Sequence, residues 1–278
     1  MRINQNIMAF NAYRNLSASN TQMGKSLEKL SSGFRINRAG DDAAGLVISQ
    51  DLRAQVSGLR QATRNAQDAI SVVQTAEGAL NEVNTMLQRM RDLAVQASNG
   101  SNSQAARSAA NDEFTQLYTE ITRLGSNTTF GTLNLLSGTS SANFQTGVTF
   151  QVGANTADTI TLSFSGLNES GGSVAALSSQ SVASAVSAAA ALSAIDAAIS
   201  QVSSTRGRMG AFQNRFESTI NSLQVASENV AASESRIRDT DMAMEMTSFS
   251  RNQVLQQAGT AMLSQANQLP QSVLRLLG

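Results

Sequence analysis

The sequence predicts a mainly α-helical protein, in which long helices from both chain ends pair and a small β-hairpin region lies between them. Apolar residues recur in steps of three and four through both ends, and strand-like alternation occurs only mid-chain. Aromatic residues make up 4% of the 278 positions, so small side chains must fill much of the interior. A stripe that persists over many heptads has to be buried along its length, which is typical of a coiled coil or long-helix bundle. We expect an elongated molecule.

The N-terminal segment, residues 1–42, begins as a helix and ends in a break. Its apolar positions at helical spacing include Ile3, Ile7, Phe10, Leu27 and Leu30. Residues 33–40 begin and end with glycine and interrupt the pattern. Asp41 or Asp42 is expected to cap the next helix, because a carboxylate accepts hydrogen bonds from the exposed N–H groups there. A cation site at this pair would need further spaced oxygen donors, which the neighbouring sequence lacks.

Residues 43–98 carry a long helical pattern, which would span about 80 Å at 1.5 Å per residue. Its apolar ladder comprises Leu59, Ala66, Ile70, Val73, Leu80, Val83, Leu87, Met90 and Ala94. Residues 99–103, rich in asparagine, serine and glycine, are expected to close this helix. A shorter helix is predicted from Ala105 to Leu124, ending at Gly125.

The middle of the chain changes character. Residues 148–152 and 159–164 alternate apolar and polar side chains with a period of two, and residues 153–158 supply a turn. This pattern predicts a β-hairpin. Gly171 and Gly172 are expected to end the region.

The C-terminal half carries a second ladder, preceded by an Ala/Ser-rich stretch over residues 182–192. Its apolar positions are Ile195, Ile199, Val202, Met209, Phe216, Ile220, Leu223, Val230, Ile237 and Met244. Polar residues occupy the remaining positions of the repeat, at Arg206, Gln213, Ser227, Glu234 and Asp241. The single proline, Pro270, is expected to end or kink the last helix.

The last helix has too wide an apolar face for a simple helix pair. At 100° per residue, the apolar side chains of residues 254–269 spread over an arc of about 200°. They are Val254, Leu255, Ala258, Ala261, Met262, Leu263, Ala266 and Leu269. We expect neighbouring copies to cover the excess. We also expect both termini to be disordered in the monomer and to fold when a polymer end buries them.

Composition excludes several classes of site. Histidine and cysteine are absent, so no disulfide, no imidazole or thiolate metal site and no Ser-His-Asp or Cys-His nucleophile can form. Ser26 and Lys29 match an S-x-x-K motif, but no K-T-G partner motif exists, and we interpret the two residues as solvated neighbours on a helix. The sequence therefore predicts no enzyme, cofactor or metal.

Charge and hydropathy limit the classes of partner that the chain can bind. Twenty basic and twenty acidic residues balance, so no net field attracts nucleic acid. No run of 18 apolar residues occurs, so we expect no membrane span. The first residues lack the apolar stretch of a cleavable signal peptide, so the protein either stays inside the cell or leaves by another route.

Long motifs near both ends resemble those of one family. Residues 29–46, KLSSGFRINRAGDDAAGL, and residues 74–96 closely resemble the N-terminal signatures of bacterial flagellins. Residues 232–243 and residues 266–274, ANQLPQSVL, resemble the C-terminal signatures of the same family. Several long motifs in the right order make the resemblance specific.

The resemblance implies a structural subunit that self-assembles into the helical bacterial flagellar filament for swimming motility. Both chain ends, residues 1–42 and 235–278, would form a terminal coiled-coil domain. Residues 43–130 and 181–234 would form a helical rod domain, and residues 131–180 a short variable outer region. The subunit would be exported to the extracellular filament without a cleavable signal peptide. Its partners would be copies of itself, filament cap and hook-associated junction proteins, and a flagellar export chaperone.

The resemblance also implies contact sites for host receptors. The Toll-like receptor that recognises flagellin would contact Arg89, Leu93 and Glu113, beside Asp92 where relatives usually have glutamate. The alternative role for this patch is packing between subunits. A C-terminal motif sensed by inflammasome receptors would comprise Val273, Leu274, Leu276 and Leu277. Gly278 departs from the usual glutamine or arginine, and the same end would bind the export chaperone.

Three other functions stay open at this point. A related hook–filament junction protein would share the N-terminal pattern, although residues 266–274 favour flagellin. A secreted adhesin or immune ligand would act as a monomer. An enzyme has the least support, because carboxylates and hydroxyls are scattered along helix faces without a convergent pocket.

Overall fold

The computed structural model describes residues 6–137, 147–163 and 174–277, with side chains described as far as residue 268. Five helices lie within these ranges: α1 Ile7–Ser32, α2 Ala43–Ser98, α3 Gln104–Asn127, α4 Ala185–Arg238 and α5 Met242–Leu277. Two antiparallel hairpins lie mid-chain, formed by β1 Thr129–Phe130, β2 Leu133–Asn134, β3 Val148–Gln151 and β4 Thr159–Leu162. A short 3-10 helix covers Ala175–Ser179. The predicted fold class, long helices from both chain ends with a small hairpin region, is confirmed.

Residue contacts divide the chain into two compact units, with the boundaries inside α2 and α4. We call residues 1–56 and 228–278 the terminal unit, and residues 57–227 the central unit. Each unit therefore combines segments from both halves of the chain. The domain boundaries implied by the family resemblance, after residues 42, 130, 180 and 234, stay predictions.

The central unit has a continuous apolar core to which α2, α3, α4 and both hairpins contribute. Its largest fully buried side chains are Leu80, Leu87, Met90, Phe114, Ile121, Leu135, Leu136, Leu162, Leu177 and Phe216. The predicted ladders supply many of these, such as Leu87 on α2 and Phe216 on α4. Buried alanines such as Ala66 and Ala198 fill other positions and allow the helices to approach closely.

The predicted hairpin is confirmed and belongs to this core. β3 pairs with β4 from Val148 opposite Leu162 to Gln151 opposite Thr159. The Phe150 ring meets the Phe216 ring edge-on, with 5.9 Å between centroids. The Asn65 side-chain amide on α2 donates to the Gln151 carbonyl at 3.0 Å, which fixes the hairpin against that helix. Phe164 and the Gly171–Gly172 pair, predicted to end the region, lie outside the described residues.

Hairpin β1–β2 was not among the predicted elements. Phe130 pairs with Leu133 across a two-residue turn, in which Gly131 has φ +60°. A glycine at the first turn position is typical of tight hairpin turns, because residues with a Cβ rarely adopt positive φ. The following Leu135 and Leu136 are buried, so the turn directs the chain back into the core.

The ends of α1 and α2 agree with the predicted breaks, whereas the end of α3 does not. α1 ends at Gly33, which has φ +74° and donates its N–H to the Lys29 carbonyl at 2.8 Å. α3 continues past Gly125 to Asn127, so the predicted end was wrong. Gly125 is buried within the helix and does not have a positive φ, so it packs rather than terminates.

The apolar pattern predicted one continuous C-terminal ladder from Ile195 to Met244, but the structure interrupts it. Residues 239–241 separate α4 from α5, and Met244 on the far side is exposed. Pro270 was expected to end or kink the last helix; it does not end it, since α5 continues to Leu277, and the kink stays a prediction. Proline lacks an N–H, so the Ala266 carbonyl four residues earlier loses its helical partner. The Asn6 side-chain amide donates to that carbonyl at 2.7 Å and replaces the missing bond.

Among the described helices, α4 alone is long and apolar enough to cross a membrane by length and composition. The core helix of a water-soluble protein can have the same length and composition. Much of the apolar character of α4 comes from alanine, and Ser187, Ser193 and Asp196 interrupt its first turns. The expectation of no membrane span stays a prediction.

Replacing Phe216 with alanine should strongly destabilise the central unit. The ring is fully buried and contacts Phe150, so truncation leaves a cavity and should lower the free energy of unfolding by about 3–5 kcal/mol. The control is Val225→Ala on the same helix, where the side chain is exposed and the change should stay within about 0.5 kcal/mol. Urea unfolding followed by circular dichroism measures both. Equal effects of the two substitutions would contradict the assignment of the core.

Candidate functional site

The terminal helices α1 and α5 pack antiparallel along their length. Three contacts define the direction: Asn6 with Ala266, Leu16 with Gly259, and Lys29 with Glu245. The numbers rise on one helix as they fall on the other. Gly259 allows close approach, because a Cβ built there would lie 3.2 Å from Cδ1 of Leu16. At the other end, Lys29 Nζ lies 3.8 Å from the Glu245 carboxylate.

Within its described residues, the terminal unit has very little apolar core. Only three of its apolar side chains are buried, Ile36, Val56 and Ala266. Polar Ser26, Ser49 and Asn252 are buried beside them. The fully buried stripe between the two helices therefore holds small and polar side chains, while the larger apolar residues beside it are only partly buried: Leu16, Met23, Leu30, Phe249 and Leu263.

The outer faces of the same helices carry large apolar side chains in contact with water. Those on α1 and α5 that are about half exposed or more are Ile7, Met8, Phe10, Tyr13, Leu27, Met242, Met244, Met246, Val254, Leu255 and Met262. Phe10 is 66% exposed and Val254 is 63% exposed. We call this set the apolar terminal face. It contains most of the described residues that the sequence predicted as assembly positions.

Several members of this face were not among the predicted positions. Met8 and Tyr13 lie on α1 between the expected residues. Outside this face, Val47 and Ile48 are also exposed, on the first turns of α2. The helical spacing of Ile7, Phe10 and Leu27 predicted one stripe along α1, whereas the exposed apolar face is wider. Leu30 is only partly exposed, Ile3 lies outside the described residues, and the side chain of Leu269 is not described.

An open apolar groove runs between the two helices on this face, with a volume of about 450 Å³. Its lining comprises Met8, Asn11, Ala12, Asn15, Leu16, Ser19, Leu255, Ala258, Gly259, Met262, Gln265 and Ala266. No charged side chain lines it. Such a groove accepts another apolar surface rather than a charged ligand.

The segment between α1 and α2, residues 33–42, is hydrogen-bonded to the chain around residues 239–241, between α4 and α5. Phe34 and Asp239 form an antiparallel bridge, with Arg35 N–H donating to the Arg238 carbonyl at 2.6 Å and Thr240 N–H donating to the Gly33 carbonyl at 3.0 Å. The Arg238 guanidinium lies over the Phe34 ring, 4.4 Å from its centroid, as a cation–π contact. These contacts join the chain segments that follow α1 and precede α5.

Aspartates begin the helices after both breaks, as predicted for the first of them. Asp42 Oδ1 accepts from Gly45 N–H at 2.9 Å, and Asp241 Oδ1 accepts from the N–H groups of Ala243 and Met244. Asp41 instead accepts from the backbone N–H groups of Arg38 and Asn37, and these hydrogen bonds lower its carboxyl pKa. The Asp41–Asp42 pair therefore shapes the loop and caps α2.

The S-x-x-K residues occupy different environments. Ser26 is 5% exposed, so the interpretation of Ser26 as a solvated residue was wrong; it faces the packed side of α1. Lys29 pairs with Glu245 on α5. Within the described ranges, no three acidic side chains gather where a metal ion could bind.

The three residues expected to contact a Toll-like receptor lie in the central unit. Arg89 Nε on α2 donates to Glu113 Oε1 on α3 at 2.7 Å, and both side chains are about half exposed. This hydrogen bond raises the pKa of Arg89. Leu93, one turn along α2, is 2% exposed and belongs to the core. The side chains of the C-terminal motif, residues 273–277, are not described.

Family models match most of the chain. The bacterial flagellin N-terminal helical region matches residues 3–141, and the bacterial flagellin C-terminal helical region matches residues 192–277. The chain belongs to the bacterial flagellin family. The helices that form the apolar terminal face fall within these two matches.

Relatives of similar length support this assignment. A protein named flagellin from Halalkalibacterium halodurans is 52% identical over 277 residues and covers all of both chains. A flagellin from Bacillus subtilis is 46% identical over 303 residues, again with full coverage. A flagellar filament 33 kDa core protein from Treponema phagedenis is 43% identical over 289 residues.

Two solved structures are similar in fold. The crystal structure of Bacillus cereus flagellin has a TM-score of 0.51 and 27% identity, and it covers 62% of this chain and 94% of that one. A putative flagellar hook-associated protein from Vibrio parahaemolyticus has a TM-score of 0.59 and 19% identity, with 72% of this chain and all of that one covered. At that identity, the second match shows the fold alone.

Alanine at Gly259 and at Gly24 should have different effects on the α1–α5 pair. Alanine in a helix interior is about 0.5–1 kcal/mol more favourable than glycine. At Gly24 nothing lies within 4 Å of the new Cβ, so Gly24→Ala should stabilise the pair by that amount. At Gly259 the Cβ forces Leu16 to move, which should cancel the gain. Amide hydrogen exchange of residues 7–32 and 242–268 measures both, and equal protection gains would contradict the close contact.

Proposed function

We propose that this chain is the structural subunit that self-assembles into the helical bacterial flagellar filament for swimming motility. One observation carries the proposal. The terminal unit has almost no apolar core among its described residues, yet it exposes a large apolar face on two packed helices. Other copies of the chain provide the cover that this face lacks.

Covering the apolar terminal face contributes a favourable free energy to the docking of helices that are already folded. Full burial of a side chain such as Val, Leu, Phe or Met contributes about 1.5–3 kcal/mol. Eleven such side chains, each about half exposed or more, contribute roughly 10–20 kcal/mol when covered. Association costs about 4–15 kcal/mol. A lattice that covers every side of the helix pair is therefore favoured over a dimer that covers only one.

Assembly would also complete the folding of the chain ends. Within one chain, the pair α1–α5 fully buries only small and polar side chains and partly buries a few larger apolar ones. Ordering the backbone costs about 1–2 kcal/mol per residue, and this limited burial offsets little of that cost. The termini would therefore be disordered before assembly and become ordered when a filament end buries them. The Asn6 bond to Ala266 and the Arg238 contact with Phe34 would then hold the folded form.

The alternative functions have less support. The putative flagellar hook-associated protein shares the fold at 19% identity, whereas relatives named flagellin match the full chain at 46–52%. A monomeric adhesin or immune ligand would leave the apolar terminal face in water. An enzyme would need convergent polar groups, and the groove on the described face is lined by apolar and amide side chains.

The family supplies the remaining parts of the proposal. The subunit would leave the cell through the flagellar export route, without a cleavable signal peptide, and would reside in the extracellular filament. An export chaperone would cover the C-terminal motif, Val273, Leu274, Leu276 and Leu277, before export. Filament cap and hook-associated junction proteins would contact the two ends of the polymer.

Recognition of the monomer by a host Toll-like receptor is a further part of this proposal. Arg89 and Glu113 present an exposed ion pair that joins α2 to α3, and such a fixed charge pair is available to a partner. Leu93 is buried, so its part would be to pack beneath the pair rather than to contact the receptor. Packing between subunits is the competing role for the same patch.

Polar substitutions on the apolar terminal face should impair assembly. Replacing Val254 and Met262 with glutamine removes two exposed apolar contacts, and should raise the critical concentration for seeded elongation at least about tenfold. The matched control is Val186→Gln in the central unit, where the side chain is 84% exposed and little change is expected. Sedimentation of polymer, with electron microscopy of the pellet, gives both values.

Two outcomes would contradict the proposal. The first is that the unmodified protein stays monodisperse when it is concentrated and seeded with fragments of its own polymer. Alternatively, the double variant would polymerise as the unmodified protein does, which would separate assembly from the apolar terminal face.

Arg89→Ala should lower receptor activation by the monomer about tenfold, the size expected for loss of one strong contact residue. The matched control is Arg123→Ala, which removes the comparable exposed Arg123–Glu120 pair on α3. A cell reporter for the Toll-like receptor, dosed with monomer, measures both variants. Activation by Arg89→Ala equal to that of the unmodified protein would exclude this patch as the receptor contact.

A further inference from the structure

The described methionines are mostly buried in the central unit and mostly exposed in the terminal unit, where Met23 alone is partly buried. In the central unit, Met90 and Met209 are 0% exposed and Met86 packs against the core. In the terminal unit, Met8, Met242, Met244, Met246 and Met262 are exposed by 48–68%. All the exposed methionines of the described chain therefore lie on the apolar terminal face.

These five side chains lie in two places on that face. Met8 on α1 and Met262 on α5 both line the groove between the helices. Met242, Met244 and Met246 lie in the first turns of α5, close to the Lys29–Glu245 pair. Met242 and Met246 are four residues apart and so share one side of the helix, while Met244 lies on another. Oxidation in the groove and oxidation at the start of α5 would therefore alter different parts of the surface.

The thioether of an exposed methionine reacts with hydrogen peroxide or another two-electron peroxide. One peroxide oxygen is transferred to sulfur, the O–O bond breaks, and water leaves. The sulfur is oxidised by two electrons and the peroxide is reduced by two. The product, a sulfoxide, is polar and chiral. Methionine sulfoxide reductases supplied with a dithiol reductant restore the thioether, and the sulfoxide oxygen leaves as water while the dithiol is oxidised to a disulfide. Reaction follows access to solvent, so burial protects.

We propose that the five exposed methionines of the terminal unit form a reversible oxidation site that controls which subunits can assemble. This inference rests on the proposed function. A sulfoxide oxygen carried into an apolar contact between copies is an acceptor without a donor, which opposes the contact. Peroxide would thus inactivate the free subunit, whereas an assembled subunit, with the same side chains covered, would be protected.

The first test measures where oxidation occurs. The full-length monomer is treated briefly with hydrogen peroxide, and peptide mass spectrometry gives a rate for each methionine. The five exposed residues should oxidise at least about tenfold faster than Met90 and Met209. In polymer treated in parallel, their rates should fall towards those of the buried pair. Equal rates for exposed and buried methionines in the monomer would overturn the site assignment.

The second test measures the consequence for assembly. Seeded elongation of peroxide-treated monomer should be at least about tenfold slower than that of untreated monomer, because several polar groups are added to the contact surface. Incubation with methionine sulfoxide reductases of both stereospecificities should restore it. The matched control carries leucine at all five positions, and its treated rate is compared with its own untreated rate, where the ratio should stay near one.

The outcomes distinguish this inference from the proposed function. Failure of untreated monomer to elongate overturns the proposed function, and the oxidation rates of the first test still decide the site assignment. Normal elongation of fully oxidised monomer overturns the control of assembly by oxidation. An equal loss in the five-leucine variant also overturns it, because the damage would then lie elsewhere in the chain.

Discussion

The antiparallel contact between α1 and α5 determines which side chains of the two chain ends are buried and which stay exposed. It brings together the first and last helices of the sequence, with Leu16 packed on Gly259 and Asn6 bonded to the Ala266 carbonyl. The buried stripe consists mostly of small or polar side chains, so the contact is close but contributes little apolar burial. Larger side chains such as Phe10 and Val254 lie on the outside. This arrangement supports the proposal that other copies of the chain stabilise the terminal unit.

The central unit shows the opposite arrangement. Its ladders on α2 and α4 meet in a core closed by α3 and by two hairpins, and Phe216 packs edge-on against Phe150. Most of its large apolar side chains are buried, as expected for a domain that folds alone. Because the two units differ in this way, one chain can remain folded in its centre while its ends await a partner.

Periodicity predicted the parts of the fold that repeat. The heptad steps identified α2 and α4 because a regular apolar stripe has one structural explanation over such lengths. Alternation identified β3–β4 for the same reason. The sequence pattern did not predict hairpin β1–β2, because two-residue strands have no measurable period. The one residue that indicated a turn there was Gly131. The break at 239–241 was missed because the apolar spacing from Ile237 to Met244 continues across it.

Other errors came from contacts between residues far apart in sequence. Pro270 does not end α5, and the carbonyl that it leaves unpaired is satisfied by Asn6, 260 positions away in the sequence. The solvated interpretation of Ser26 failed because burial depends on which face of α1 meets α5. Leu93 was selected by motif similarity, which gives no information about exposure. The apolar terminal face, in contrast, could be predicted, since the 200° arc on residues 254–269 is a property of the helix itself.

The most direct measurement is limited proteolysis of monomer and polymer under the same conditions, with the cleavage sites read by mass spectrometry. If other copies cover the terminal helices, residues 7–32 and 242–268 are cut rapidly in the monomer and resist cleavage in the polymer, while the core segments of the central unit resist in both. Equal resistance of the chain ends in monomer and polymer would show that one molecule alone stabilises them, and would contradict the account.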